Sequence, residues 1–127
     1  MARTLKITTK KLDDLWSEIV KLEGKCEKCG SRVNLNAHHI FGRRNFSVRW
    51  NLDNGISLCV SCHKFGRHSA HESPMEFANW LIQERGQDWY DVLHFEANKT
   101  IRKIDKESVY RQLLESKVLL EPKVLGT

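Results

Sequence analysis

Two cysteine pairs of identical spacing, Cys26-Glu27-Lys28-Cys29 and Cys59-Val60-Ser61-Cys62, constrain this chain more than any other feature of its sequence. A C-x-x-C pair makes a tight turn that points two thiolates at one place. Two such pairs separated by 29 residues have the spacing of a closed, tetrahedral zinc site. Disulfides are the poorer expectation, because Met1-Ala2-Arg3-Thr4-Leu5-Lys6 lacks the apolar stretch of a secretion signal and a reducing compartment disfavours them. Thioredoxin-like chemistry needs one pair at a helix start rather than two matched pairs. Cys26, Cys29, Cys59 and Cys62 are therefore expected to hold structural Zn²⁺.

A chain of 127 residues, 40% hydrophobic and 29% charged, suits one globular domain over residues 1–127. No apolar run approaches the ~20 residues of a membrane span, so no membrane partner and a cytoplasmic location are expected. The net charge is +5, and the excess is local: residues 1–70 hold 13 Lys/Arg against 6 Asp/Glu. That half also contains every cysteine. A basic field concentrates polyanions and supports nucleic-acid binding, although a solvated basic surface has the same composition.

Hydrophobic periodicity places helices on both sides of the cysteine region. Leu12, Leu15, Trp16, Ile19 and Leu22 share one face of a helix over 9–22, with Thr9 as its cap and Gly24 just beyond it. A strand is expected from Arg32 to Ile40, a polar, arginine-rich loop from Gly42 to Asn54, and a second strand over Gly55–Cys59. A helix carrying His63 should start between Val60 and Cys62. Ser73-Pro74-Met75-Glu76 has the cap, first-position proline and third-position glutamate of a helix start, with Phe77, Trp80 and Leu81 inward and Gly86 at the end. A short helix over Asp88–Phe95 should bury Trp89, Val92 and Leu93. Asp105 should cap a last helix, reaching about residue 119, that buries Val109, Tyr110, Leu113 and Leu114. These helices read as scaffold.

The order strand, loop, strand, helix, with a cysteine pair at each root, presents His38 and His39 opposite His63. The run Cys26-x2-Cys29, Ala37-His38-His39-Ile40, Asn54-x4-Cys59-x2-Cys62-His63 resembles the HNH (ββα-metal) endonuclease family, and in particular small phage-type HNH proteins with four zinc cysteines. The resemblance covers residues 26–63. It implies an α+β fold: a zinc-stapled, treble-clef-like ββα-metal core over about 26–72, with helical additions over 9–22 and 73–119.

The resemblance also implies roles. His39 would be the general base that takes a proton from water, a task suited to an imidazole near neutral pH. His38 and His63 would hold a catalytic divalent ion: Mn²⁺, Ni²⁺ or Zn²⁺ by the preference of imidazole, or Mg²⁺ with phosphate oxygens completing the shell. Neighbouring strand residues face opposite ways; the resemblance implies that the base sits where the strand bends into the loop. Asn54 would hold that loop and orient the base, with Asn51 the rival and an Asx turn the plain alternative for either. Colicin-type members use a further histidine four residues past the position of His63. That place is Arg67 here, so a shell of two histidines is expected, and His71 could reach it only if the helix breaks near Gly66. His68 reads as a surface residue and His94 as structural.

Arg43, Arg44 and Arg49, with Lys64 and Arg67, are the expected phosphate contacts, since guanidinium forks match phosphate oxygens. The implied activity is metal-dependent hydrolysis of DNA phosphodiester bonds, and the phage likeness implies a terminase as partner, within a host cytoplasm. A homing or restriction-type HNH nuclease and a non-catalytic zinc-dependent DNA-binding module are the alternatives.

Overall fold

The structure, a computed structural model, describes residues 6–101 and 103–125. Met1–Leu5, read above as part of a chain start without a leader, lie outside the described residues. Among the described residues, four α-helices flank a two-stranded sheet: α1 (Thr9–Val20), β1 (Leu35–His39), β2 (Gly55–Cys59), α2 (Pro74–Arg85), α3 (Gln87–Ala97) and α4 (Lys106–Leu125). The fold is thus small and mixed α and β, built round a single hairpin. Among the described residues, no helix is long and apolar enough to cross a membrane.

Helix α1 begins one residue earlier than expected at its cap. Thr8, not Thr9, is in extended conformation and its hydroxyl accepts the Lys11 N–H at 3.1 Å. Its stripe of Leu12, Leu15, Trp16 and Ile19 is buried, and the helix stops at Val20 rather than 22 because the chain turns through Lys21 to Gly24, at φ +71°.

The strands pair antiparallel, with Leu35 opposite Cys59, His38 opposite Ile56 and His39 opposite Gly55. β1 is shorter than the expected Arg32–Ile40, since Asn34 at φ +53° bends the chain into it. β2 matches its expected limits and is buried throughout, because both faces of the hairpin are covered. On one face Ile56 and Leu58 pack with Cys26, Cys59, Ala70, Phe77 and Leu81. On the other, Ala37 meets α1, whose stripe continues through Trp50 to Leu113 of α4. A third cluster, Val48 with Leu93 and Ala97, anchors the long loop to α3.

Several local expectations are corrected. Ser73 does not cap α2, because its hydroxyl donates to the Arg67 carbonyl at 2.7 Å; Glu76 meanwhile meets His68 at 2.9 Å. Gly86, at φ +97°, separates α2 from an α3 longer than expected, and Val92 faces outward there, 63% exposed. Leu114 is 40% exposed while Leu113 is buried. Asp105 does cap α4, accepting the Ser108 N–H at 3.1 Å, and the helix runs to Leu125 with Pro122 inside its last turn. Pro122 gives no N–H to the carbonyl four residues before it, and only three residues of helix follow the lost bond.

Candidate functional site

The four sulfurs of Cys26, Cys29, Cys59 and Cys62 all lie within 4.8 Å of one another. Two turns bring them there. In the first, the Gly30 N–H donates to the Cys26 carbonyl at 2.9 Å, and Gly30 takes φ +81°, which its missing side chain allows. In the second, the end of β2 passes directly into a short π-helical turn, Ser61–Phe65, and the Val60 N–H donates to Asn34 O at 3.1 Å. The Cys29 and Cys59 sulfurs are 3.6 Å apart, and all four cysteines are free of disulfides. Tetrahedral Zn–S bonds of ~2.3 Å put neighbouring sulfurs about 3.8 Å apart, so the spacing fits a shared ion. Electrostatics agree. Burial raises the Cys26 thiol, yet backbone N–H groups of Cys59, Cys29 and Lys28 outweigh it and bring it down to about 7. Burial and the other three sulfurs push Cys62 up. Four crowded thiols cannot all ionise without a cation among them. The cluster could hold a structural metal such as zinc.

The helix expected to carry His63 is only that one π turn, and its brevity shapes the second cluster. Gly66 N–H closes on Ser61 O at 2.7 Å, so close that a β-carbon on Gly66 would meet that oxygen at 2.6 Å. The chain then reverses: Ala70 N–H donates to Cys62 O at 2.9 Å and His71 N–H to His63 O at 3.1 Å. His71 is thereby returned beside His63, eight residues on. The break at Gly66, the condition on which His71 could reach back, is present, and His71 joins His38 and His63 in a cluster of three imidazoles.

His63 Nε2 lies 3.1 Å from His38 Nδ1 and 3.1 Å from His71 Nε2. One ring nitrogen carries a single in-plane proton or lone pair, and it cannot satisfy two ring nitrogens at once. A shared ion can: metal–nitrogen bonds of ~2.1 Å set neighbouring donors about 3.0 to 3.4 Å apart. His63 is 8% exposed and its Nδ1 has no partner among the described residues. Burial, then the charge of His63, His71 and His39, drives His38 down to about 3. Burial with His71 and Lys64 takes His63 down to about 4. These rings are held neutral, the form that ligates metal.

His39, the last residue of β1, faces the other way. Its ring lies on Trp16, with centroids 3.8 Å apart and planes 9° from parallel. Its Nε2 is 2.9 Å from the Arg49 carbonyl oxygen. A carbonyl only accepts, so Nε2 carries the proton and the neutral ring's lone pair is on Nδ1. Burial lowers its pKa, with the Arg49 carbonyl and Asp13 acting in the opposite sense.

Asn54 is fully buried and braces the loop that follows. Its Oδ1 accepts Phe41 N–H at 2.7 Å and its Nδ2 donates to Phe41 O at 3.0 Å, while its own carbonyl accepts Ile40 N–H at 2.9 Å. Asn51 makes the Asx turn instead, accepting Asp53 N–H at 2.9 Å. Comparison of the chain with family models, curated proteins and solved structures finds no match.

Of the five expected phosphate contacts, Arg43, Arg44, Lys64 and Arg67 are exposed. Arg49 is not available in that way. Its Nη2 and Nε reach the two oxygens of Asp13 at 2.7 and 3.1 Å, and its side chain is 12% exposed. A bidentate pair so placed orders the loop rather than meeting a ligand. His68 is paired with Glu76 on the surface, and His94 stacks on Tyr90 at 5.5 Å. No signal in the sequence showed that Asp13 would bind Arg49, or that Trp16 and Gly55, read only as core and strand, would meet at His39: a β-carbon on Gly55 would lie 2.7 Å from Trp16 Cζ2.

Proposed function

We propose that this protein is a metal-dependent DNA endonuclease of the HNH type, hydrolysing phosphodiester bonds with His39 as general base. One observation carries the reading: at the end of β1, consecutive histidines are prepared for two different tasks. His38 lies in a cluster of three imidazoles, and His39 Nε2 is held by a carbonyl, which leaves the lone pair of the neutral ring on Nδ1. A purely structural zinc module requires neither.

In this reading His38, His63 and His71 would hold a divalent ion, which when bound neutralises charge on the scissile phosphate and on the leaving oxygen. Three neutral nitrogen donors favour transition metals such as Mn²⁺, Ni²⁺ or Zn²⁺ over Mg²⁺. His39 Nδ1 takes the proton from a water molecule whose oxygen attacks phosphorus in line with the departing 3′-oxygen. The P–O3′ bond breaks, leaving a 5′-phosphate and a 3′-hydroxyl. The Arg49 carbonyl keeps Nε2–H in place, so the imidazolium formed is stabilised without the ring turning. Asn54 fixes the backbone just beyond the base through Ile40 and Phe41. Arg43, Arg44, Lys64 and Arg67 are suited to the DNA backbone, and recognition through phosphates implies little sequence preference. A terminase partner and a host-cytoplasmic setting belong to the same proposal, on the phage likeness alone.

Conversion of supercoiled plasmid tests it, with Mn²⁺, Mg²⁺ or EDTA and with His39→Ala as control. Metal-dependent cleavage that drops about 10²- to 10⁴-fold in a folded His39→Ala supports the base. Equal cleavage by both proteins would remove His39 from that role. DNA binding without cleavage by the native chain would favour a zinc-dependent binding module.

A further inference from the structure

Helix α1 lies outside the segment that resembles the nuclease core, yet it touches the stretch that holds His39 at three successive residues. Asp13 Oδ1 accepts Trp50 Nε1–H at 2.8 Å and the same carboxylate takes the Arg49 guanidinium through both oxygens. One helical turn later, Trp16 donates its Nε1–H to Asn51 O at 3.0 Å. Arg49, Trp50 and Asn51 are thus each tied to α1, and Arg49 supplies the carbonyl that receives His39 Nε2–H. Trp16 meanwhile provides the flat floor under the imidazole.

Such a floor has to be made room for. Gly55 stands opposite His39 in the register, and Trp16 Cζ2 occupies the space where a β-carbon would project. Trp16 is 1% exposed, so the ring has no solvent to swing into. An imidazole stacked on one face and hydrogen-bonded at one edge has a fixed plane and a fixed tautomer, both of which a general base requires.

We propose that Asp13 and Trp16 are positioning residues for His39: through Arg49 and the indole face they hold the ring with Nε2 protonated, which leaves the lone pair of the base on Nδ1. The proposal rests on the nuclease reading for its functional meaning, but its first readout does not. Ring ¹⁵N chemical shifts of His39, assigned by the signals missing in His39→Gln, report the tautomer directly. The zinc-loaded full chain should show one neutral form, protonated at Nε2.

Asp13→Asn, which keeps the shape and removes the charge, should give a mixture of tautomers. Trp16→Leu, which keeps apolar volume and removes the flat face, should do the same, and Trp16→Phe should restore the single form. In plasmid cleavage Asp13→Asn and Trp16→Leu should lower kcat about 10-fold or more with KM changed by less than about twofold, as expected when a base is misaligned and substrate binding is not. Zinc content and far-ultraviolet circular dichroism establish that each variant is folded. A single Nε2–H tautomer in both Asp13→Asn and Trp16→Leu would overturn the proposal, whatever happens to kcat. A tautomer that responds as described in a native protein that cleaves no DNA would uphold the positioning and sink the nuclease reading instead.

Discussion

Gly55 and Trp16 interlock: the indole lies where the side chain of any other residue at position 55 would begin, with Cζ2 2.7 Å from the place of a β-carbon and Val20 Cγ2 only 2.5 Å from it. Both neighbours are in a packed interface, so neither can withdraw cheaply. Gly55→Ala should therefore cost about 1 to 3 kcal/mol, the usual penalty of overpacking, even though alanine suits an extended strand. Denaturant titration checks this, and an unchanged midpoint would show that α1 can shift to make room.

Asn54 is the polar residue most deeply built into the loop. Asn54→Ala leaves Phe41 N–H and C=O without partners in a site that water does not reach, and each orphaned group should cost about 1 to 3 kcal/mol. Asn54→Asp keeps the acceptor for Phe41 N–H but loses the donor and buries a charge, so it should be no better. Equilibrium unfolding of both variants measures the cost.

The cysteine cluster predicts a stability tied to metal. Removing zinc with a strong chelator, or replacing Cys62 by Ser, should abolish cooperative unfolding of the hairpin region, because ion binding and ordering of the two turns are one event. A zinc-sensitive dye should register one tightly held ion in the native chain and none in Cys62→Ser. A native-like melting transition after complete zinc removal would mean that the hydrophobic clusters suffice.

His71→Ala should weaken transition-metal binding at the histidine cluster by about 10-fold or more, while the zinc held by sulfur stays in place. Titration calorimetry with Mn²⁺ on the zinc-loaded chain distinguishes the two sites. His68→Ala should have no such effect, since His68 is engaged with Glu76 on the surface.

Asp13 carries a prediction in pH. Burial raises its pKa, but hydrogen bonds from Arg49 and Trp50 outweigh that and hold it below the ordinary value of 3.8. Its contribution is therefore complete above that value and is lost as pH falls through the lower folded value. The native chain should lose stability over this acidic range more steeply than Asp13→Asn. Urea midpoints measured at descending pH give the comparison, and parallel curves would show that the ion pair contributes nothing.

Some of this was legible in the sequence. The paired cysteines specified a cluster because their spacing carries its own geometry, and β2 was bounded correctly by Gly55 and Cys59. The place of His71 stayed open because spacing rules assume a continuous helix, and the sequence does not state that a single π turn will end at Gly66. The stripe on α1 was read correctly as buried. What periodicity cannot reveal is which partner a buried face meets: Trp16 finds Asn51 and Asp13 finds Trp50, 35 and 37 residues away. Arg49 illustrates the same limit from the other side. As a loop arginine beside two histidines it read as a ligand contact, and only the fold reveals that Asp13 had already claimed it.

The adjacency of Cys62 and His63 has a consequence for how the molecule comes into being. The four cysteines, the three clustered histidines, His39 and the carbonyl that holds it all lie between Cys26 and His71. One peptide bond joins the sulfur cluster to the histidine cluster, so closing the first draws the second together. Helix α1, twelve residues long, is too short to persist alone in water, and it seats itself only where Asn51 O receives the Trp16 indole N–H. Every residue of both clusters precedes α4 in the chain. That helix arrives last, and its Leu113 and the Lys117–Glu18 ion pair fall on α1. Its part is to hold α1, and through α1 the loop stretch Arg49–Asn51 that α1 grips.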